Sequence, residues 1–136
     1  MTPTSAVRGL FSGVNRPLDG RNLTDLERMH APAIGAPDAV RVGEPFSVSV
    51  RMGSPPAHPS EHRHFVSAIG LYAADLPLAT AQLTAGNALP EVSFRLCLAA
   101  PAKELSAFGQ CNMHGTWVGA RPIAVRPAEQ HHSGPP

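Results

Sequence analysis

Proline and glycine occur so often along this chain that they limit the length of every regular element. The 136 residues include 15 prolines and 12 glycines, so the backbone is interrupted every few residues. Proline inside a helix costs about 3 kcal/mol or more, because it removes a hydrogen bond and clashes with the preceding turn. We therefore expect short strands joined by frequent turns, in a single domain that can bury a core without disulfide bonds.

Apolar side chains at every second position mark the strands. Residues 46–52 and 91–99 show the clearest alternation, which is typical of antiparallel strands with one buried face. Weaker strand patterns lie at residues 65–73, 78–86, 105–110 and 116–125. The sequence thus predicts six or seven strands in an all-β sandwich. The expected core consists of apolar residues from these strands: Phe46, Val48, Val50, Ile69, Leu71, Val92, Phe94 and Leu96.

The two ends of the chain lack a strand pattern. We expect residues 1–22 to form an irregular N-terminal arm, residues 23–126 to form the β-sandwich domain, and residues 127–136 to form a flexible tail. At the start of the domain, Thr24 and Glu27 have the spacing of a capping box, which predicts one or two helical turns there.

Charge and hydropathy exclude several classes of partner. Eleven Lys and Arg residues balance ten Asp and Glu residues, which gives a net charge of +1, so no bulk charge points to nucleic acid or an anionic membrane. No apolar run approaches the ~20 residues of a membrane-spanning helix, and the N-terminus lacks the apolar stretch of a signal peptide. We therefore expect a cytoplasmic protein in which Cys97 and Cys111 are thiols.

Histidine and cysteine occur in short segments of the kind that metal sites use. The sequence HPSEHRH carries His58 and His64, and the sequence CNMHG carries Cys111 and His114. Each segment alone is more typical of a polar surface loop, or of a packed thiol beside a histidine, than of a metal site. Their combination with His30 in one small β domain is more informative. Mixed imidazole and thiolate ligation suits iron, whereas a structural zinc site closes with four ligands.

The other histidines and the second cysteine are interpreted differently. His131 and His132 lie in the polar tail, where solvated side chains are expected. Cys97 falls within an alternating strand, where a small packed or half-exposed residue is expected.

Taken together, these segments resemble the superoxide reductase family in its one-iron neelaredoxin form, which is related to the iron domain of desulfoferrodoxin. The matching parts are a histidine followed by x-Pro at His30, the pattern H-P-x4-H-aromatic from His58, and the pattern C-N-x-H-G-x-W from Cys111. The resemblance implies a seven-stranded immunoglobulin-like antiparallel β-sandwich. It implies one iron, Fe(2+) or Fe(3+), per chain with an open sixth position, held by His30, His58, His64, Cys111 and His114.

The same resemblance implies an enzyme, a superoxide reductase, which reduces superoxide by one electron to hydrogen peroxide. It implies a rubredoxin-like or other one-electron donor and a homo-oligomer, either a dimer or a tetramer. His62 has no counterpart in the family pattern, and the four-cysteine motif of a rubredoxin-like first domain is missing from the sequence.

The sequence departs from the family beside the first histidine. Families of this type carry Glu-Lys there, and the lysine attracts superoxide, but this chain has Arg28 and Met29. Arg28 and Arg63 are therefore the candidate catalytic residues, as cations that replace the missing lysine. Ala68 stands where the family often has a tryptophan.

Two other classes of function stay open. One is a non-catalytic mononuclear metal-binding or electron-transfer β-sandwich protein that kept the site without turnover. The other is a cupredoxin-like carrier, which is less well supported because residues 115–125 contain no methionine to serve as axial ligand. His58 and His64 would also have no role in a copper site of that type.

Overall fold

The computed structural model describes residues 14–53 and 57–128. In these residues the chain forms one short helix and nine strands. In chain order they are α1 (Asp25–His30), β1 (Pro32–Gly35), β2 (Ala39–Arg41), β3 (Phe46–Met52), β4 (Val66–Ala73), β5 (Leu76–Gln82), β6 (Glu91–Leu96), β7 (Glu104–Cys111), β8 (Gly115–Pro122) and β9 (Ala124–Arg126). No helix in these two ranges has the length and apolar character needed to cross a membrane.

Seven of the strands form two antiparallel sheets that pack face to face. One sheet has the order β1-β3-β6 and the other has the order β5-β4-β7-β8. The sheets approach closely where Met52 of β3 lies over Gly109 of β7, because the methionine thioether occupies the space that a Cβ at Gly109 would need. The predicted all-β sandwich is therefore confirmed.

The core lies between the two sheets and follows the alternation seen in the sequence. In β3 every second residue is buried, from Phe46 to Met52, and these side chains meet Ile69 and Leu71 of β4. The predicted core residues of β6 are half-buried and pack against this cluster. Cys97 follows β6 and is exposed.

The remaining strands differ from the prediction. Residues 116–125 form two strands instead of one, because β8 ends at Pro122, which has no N–H for the ladder. After Ile123, β9 pairs in parallel with β2, and Ala124 lies opposite Ala39. The strands β1 and β2 are only four and three residues long, too short to show a periodic pattern in the sequence.

Residues 14–22 run across the domain between two elements that carry candidate ligands. Asn15 forms a parallel bridge with Trp117 of β8, through hydrogen bonds from Asn15 N to Thr116 O and from Val118 N to Asn15 O. Further along, the backbone N–H of Leu18 donates to the Glu27 carboxylate in α1 at 3.1 Å. Residues 1–13 of the predicted arm and residues 129–136 of the predicted tail, with His131 and His132, lie outside the described residues.

Candidate metal centre

The first candidate ligand, His30, is the last residue of α1. Thr24 caps the helix, since its hydroxyl accepts the Glu27 N–H and the Glu27 carboxylate accepts the Thr24 N–H, as the capping-box pattern predicts. Ala31 leaves the helix in an extended conformation, because the following proline disfavours the helical one. The cap and the proline after Ala31 thus fix the two ends of the helix, and with them the position of the His30 backbone.

The His30 ring is completely buried and is oriented by one hydrogen bond. Its Nδ1 lies 2.8 Å from the Leu26 carbonyl oxygen, and a carbonyl can only accept, so Nδ1 carries the proton. The ring stacks on the Trp117 indole, with centroids 5.1 Å apart. The other nitrogen, Nε2, is buried and has no hydrogen-bond partner, a costly arrangement unless a further group binds there.

The next two candidates lie on the segment of residues 57–64, which we call the loop. The backbone N–H of His58 donates to Met52 O at 3.1 Å and so ties the loop to the end of β3. Its Nδ1 donates to Pro59 O at 2.8 Å, and its Nε2 lies 3.2 Å from the Cys111 sulfur. His64 is half-buried, and its Nε2 is a second buried nitrogen without a hydrogen-bond partner.

The last two candidates lie on the hairpin turn of residues 111–115, which we call the turn. Cys111 and Gly115 face each other in the β7–β8 ladder, and Gly115 has a φ of 80°, which glycine adopts without strain. The Cys111 sulfur is buried and lies 3.7 Å from His114 Nδ1. The His114 carbonyl accepts hydrogen bonds from Asn15 Nδ2 and Trp117 Nε1, both at 3.0 Å.

These segments converge on one point at the end of the sandwich. His30, His58, His64 and Cys111 each offer one ligand atom, and all four atoms lie within 4.8 Å of one another, so the group could hold a metal ion. The His114 ring stands beside them, with its centroid 4.8 Å from that of His30 and 5.1 Å from that of His64. The structure thus brings all five predicted residues together.

Burial keeps two of these histidines in the form that binds metals. Desolvation is the main cause that lowers the pKa of His58 from 6.5 to about 4, with a further contribution from the neighbouring histidines. Desolvation also lowers the pKa of His30, although its hydrogen bond to Leu26 opposes the shift. Both imidazoles are neutral at pH 7, and a neutral imidazole is the metal ligand.

The candidate cations lie near candidate ligands, one in α1 and the other in the loop. Arg28 sits in α1 two residues before His30 and forms an ion pair with the exposed Asp25 at 3.5 Å, with 43% of its own side chain exposed. Arg63 immediately precedes His64 and is exposed. Met29 is half-buried. The structure leaves the catalytic role of both arginines a prediction.

Sequence reasoning overlooked the residues that connect these segments. Asn112 lies inside the CNMHG motif, and its side chain bonds to the backbone on both sides of His64. Asn15 falls in a stretch with no periodic pattern, so nothing in the sequence marked it. His62 is exposed and lies against Gly86, away from the four ligand atoms.

Comparison with known proteins shows which family shares this arrangement. The family model described as Desulfoferrodoxin matches residues 22–120, a range that contains all five candidates. A protein of Methanocaldococcus jannaschii named "Putative superoxide reductase" is 39% identical over 120 residues, which is 85% of this chain and 97% of that protein.

Solved structures with the same fold carry related names. The superoxide reductase (neelaredoxin) from Ignicoccus hospitalis is 34% identical, with a TM-score of 0.63 over 71% of this chain and 81% of that chain. The superoxide reductase (1Fe-SOR) from Giardia intestinalis is 27% identical, with a TM-score of 0.60 over 71% of this chain and 99% of that chain.

Proposed function

The chain belongs to the desulfoferrodoxin family, and on this basis we propose that it is a superoxide reductase. The reaction adds one electron and two protons to superoxide and releases hydrogen peroxide. The observation that carries the proposal is the convergence of three histidines and one cysteine at the end of the sandwich, with ligand atoms within 4.8 Å of one another. Two relatives support it, because this chain matches almost the whole length of each and both have superoxide reductase in their names.

Iron fits the donor set at this site. Imidazole nitrogen and thiolate sulfur are donors that iron accepts, and two buried Nε2 atoms need a partner. When bound, iron supplies the one-electron Fe(II)/Fe(III) couple that the reaction needs. The proposed site holds one iron per chain through His30, His58, His64, Cys111 and His114.

The protein's own contribution is to aim these donors and to keep water away from them. The carbonyls of Leu26 and Pro59 fix Nδ1 of His30 and His58 as donors, so Nε2 of each ring presents a lone pair toward the centre. Trp117 covers one face of His30 and holds the turn through the His114 carbonyl. Cys111 supplies the single anionic donor as a thiolate.

Arg28 and Arg63 are proposed to attract superoxide, which is an anion, to the site. A positive charge near the entrance raises the local concentration of an anionic substrate. The ion pair of Arg28 with an almost fully exposed Asp25 is weak, so Asp25 does not neutralise it permanently. Met29 occupies the position beside His30 where a lysine would carry this charge.

Metal analysis and pulse radiolysis test the function directly. Protein made with adequate iron should hold one iron per chain, consume superoxide, and release one hydrogen peroxide per superoxide when a reductant is in excess. Zinc or copper at full occupancy would contradict the iron site. An iron-loaded protein that does not consume superoxide would instead be the non-catalytic metal-binding or electron-transfer protein.

The steering charge is tested by variants measured across a salt series. Arg28→Ala and Arg63→Ala should slow the reaction with superoxide by about 10-fold at low ionic strength, and Met29→Lys should accelerate it. The differences should shrink at high salt, where the Debye length falls well below ~10 Å. A wild-type rate that depends on salt and is unchanged in both arginine variants would place the charge elsewhere.

The donor and the assembly in the proposal follow from the resemblance to the family. We propose a rubredoxin-like or other one-electron donor, a homo-oligomeric assembly of two or four chains, and a cytoplasmic location.

A further inference from the structure

The loop and the turn are joined by one side chain. Asn112 lies directly after Cys111, and its amide faces the loop instead of its own strand. Its Nδ2 donates to the Arg63 carbonyl at 2.8 Å, and its Oδ1 accepts the Phe65 backbone N–H, also at 2.8 Å. Its backbone N–H donates to the Phe65 carbonyl at 3.1 Å.

The two side-chain bonds hold the backbone on both sides of His64. Arg63 precedes this histidine and Phe65 follows it, so fixing both neighbouring residues fixes the direction of the imidazole. Glu61 and His64 also exchange backbone hydrogen bonds, and two residues after His64 the ladder pairs Val66 with Cys111. The Asn112 side chain adds the bonds that flank His64 directly, so the direction of the imidazole relative to Cys111 depends on it.

We propose that Asn112 is a positioning residue, which sets the place of His64 in the metal centre through the Arg63 carbonyl and the Phe65 N–H. The inference rests on the proposed ligand role of His64. Partners that orient ligands are typically worth 10–100-fold in metal affinity. Asn112 would act through the loop backbone, since its side-chain bonds go to the Arg63 carbonyl and the Phe65 N–H and not to a ligand side chain.

Two variants separate the two bonds. Asn112→Ala removes both, while Asn112→Asp keeps the acceptor for Phe65 and places a second oxygen against the Arg63 carbonyl. Asn87→Asp is the matched control, because Asn87 is an exposed asparagine whose Nδ2 donates to a backbone carbonyl of its own segment, that of Ala85, at 3.1 Å.

Iron affinity by chelator competition and the visible thiolate-to-iron band are measured for each protein. We expect both Asn112 variants to bind iron about 10–100-fold more weakly and to shift the band, while Asn87→Asp matches the wild type. The carboxylate of the Asp variant adds negative charge, which favours a cation, so a loss of affinity in that variant reports lost positioning. Wild-type affinity and an unshifted band in both Asn112 variants would overturn the proposal.

Hydrogen exchange on the metal-free wild type gives a second, independent readout. The Phe65 amide should be protected because Asn112 accepts it, and in Asn112→Ala it should exchange at the rate of an open loop. Exchange of Phe65 in the wild type as fast as in an unstructured peptide would also overturn the proposal. Because neither readout uses superoxide, an inactive enzyme with these responses would refute the proposed function and leave this inference standing.

Discussion

The turn and the loop carry two ligand candidates each, but they reach their positions by different means. The turn is closed by the β7–β8 ladder, so Cys111 and His114 are fixed mainly by their own neighbours in the sequence. One remote bond is added, from Asn15 Nδ2 to the His114 carbonyl. The loop has no regular structure, and its backbone is held chiefly by hydrogen bonds to residues outside it. Its main tethers are Met52, Ser60 bonded to Ala88, and Asn112.

This difference explains what each segment requires of its sequence. A turn built by local geometry needs a residue that tolerates a positive φ, and Gly115 provides it. A loop built by tethers outside it needs polar groups at those tethers, while its one proline, Pro59, only reduces the number of conformations open to the unfolded chain. Substitutions in the two segments should therefore fail in different ways.

The largest effect should come from removing the sulfur donor of the turn. Cys111→Ser should abolish the thiolate-to-iron charge-transfer band, because a serine hydroxyl does not provide a thiolate. The domain should still fold, since the apolar core between the sheets is intact. Visible absorption and circular dichroism measure the two responses. A variant with the wild-type band would exclude Cys111 as a ligand, and an unfolded variant would make the site a structural one.

Acid should weaken the metal-free protein through a ligand of the loop. Burial lowers the pKa of His58 to about 4 from an unfolded value near 6.5, so between these pH values the unfolded chain binds a proton that the folded protein does not. Folding stability should therefore fall as the pH drops from 6.5 toward 4, by up to about 1.4 kcal/mol per pH unit for this group.

Urea unfolding of the metal-free protein at several pH values measures this effect. His58→Asn should flatten the dependence in that window. A slope unchanged by the substitution would show that other groups cause the acid sensitivity.

Adding a methyl group at Gly115 of the turn should lower the folding stability by less than acid does. Gly115→Ala places an L-residue at a φ of 80°, which costs about 1–2 kcal/mol, and its Cβ would lie 3.3 Å from Asn15 Nδ2. Gly43 has a φ of 81° with no atom within 4 Å of a Cβ, so Gly43→Ala is the matched control. Both should lose similar stability in urea, and only Gly115→Ala should also shift the visible band. An identical band in the two variants would mean that the turn tolerates the change.

The smallest effect should come from one tether of the loop. The Ser60 hydroxyl donates to Ala88 O at 2.8 Å in a partly buried place, so Ser60→Ala should cost about 1 kcal/mol. The Ser67 hydroxyl makes longer contacts of 3.4 Å to Gln110 in an exposed place, and Ser67→Ala should cost less. Equal losses of stability in urea would show that Ser60 does not hold the loop.

The sequence predicted what depends on periodicity and on short motifs. The alternation in β3 gave its buried face, and the spacing of Thr24 and Glu27 gave the capping box. The five candidate residues were found through their motifs, and the folded chain brings them together. The strands β1 and β2 were missed because three or four residues cannot display a period, and the end of β8 at Pro122 was missed because apolar residues continue past it.

The contacts that join separate motifs could not be predicted from the sequence. Asn15 and Asn112 act through hydrogen bonds to residues distant in the chain, and asparagine at either position is equally compatible with a plain turn. The pairing of β2 with β9 joins two three-residue segments that no local signal connects. Such contacts follow from the packing of the sheets, which a single sequence does not encode in any short pattern.

The parallel pair of β2 and β9 also sets the order in which the protein can be completed during synthesis. Until β9 has been synthesised, Ala39 cannot pair with Ala124, and the Val42 N–H cannot donate to the Arg126 carbonyl. The five candidate ligands are all synthesised earlier, and His114 is the last of them. At the usual rate of about 5–20 residues per second, β9 follows that last ligand within roughly a second or two. Because β2 and β9 form a pair of their own outside the two sheets, every strand of the sandwich and every candidate ligand has been synthesised before this pairing can form.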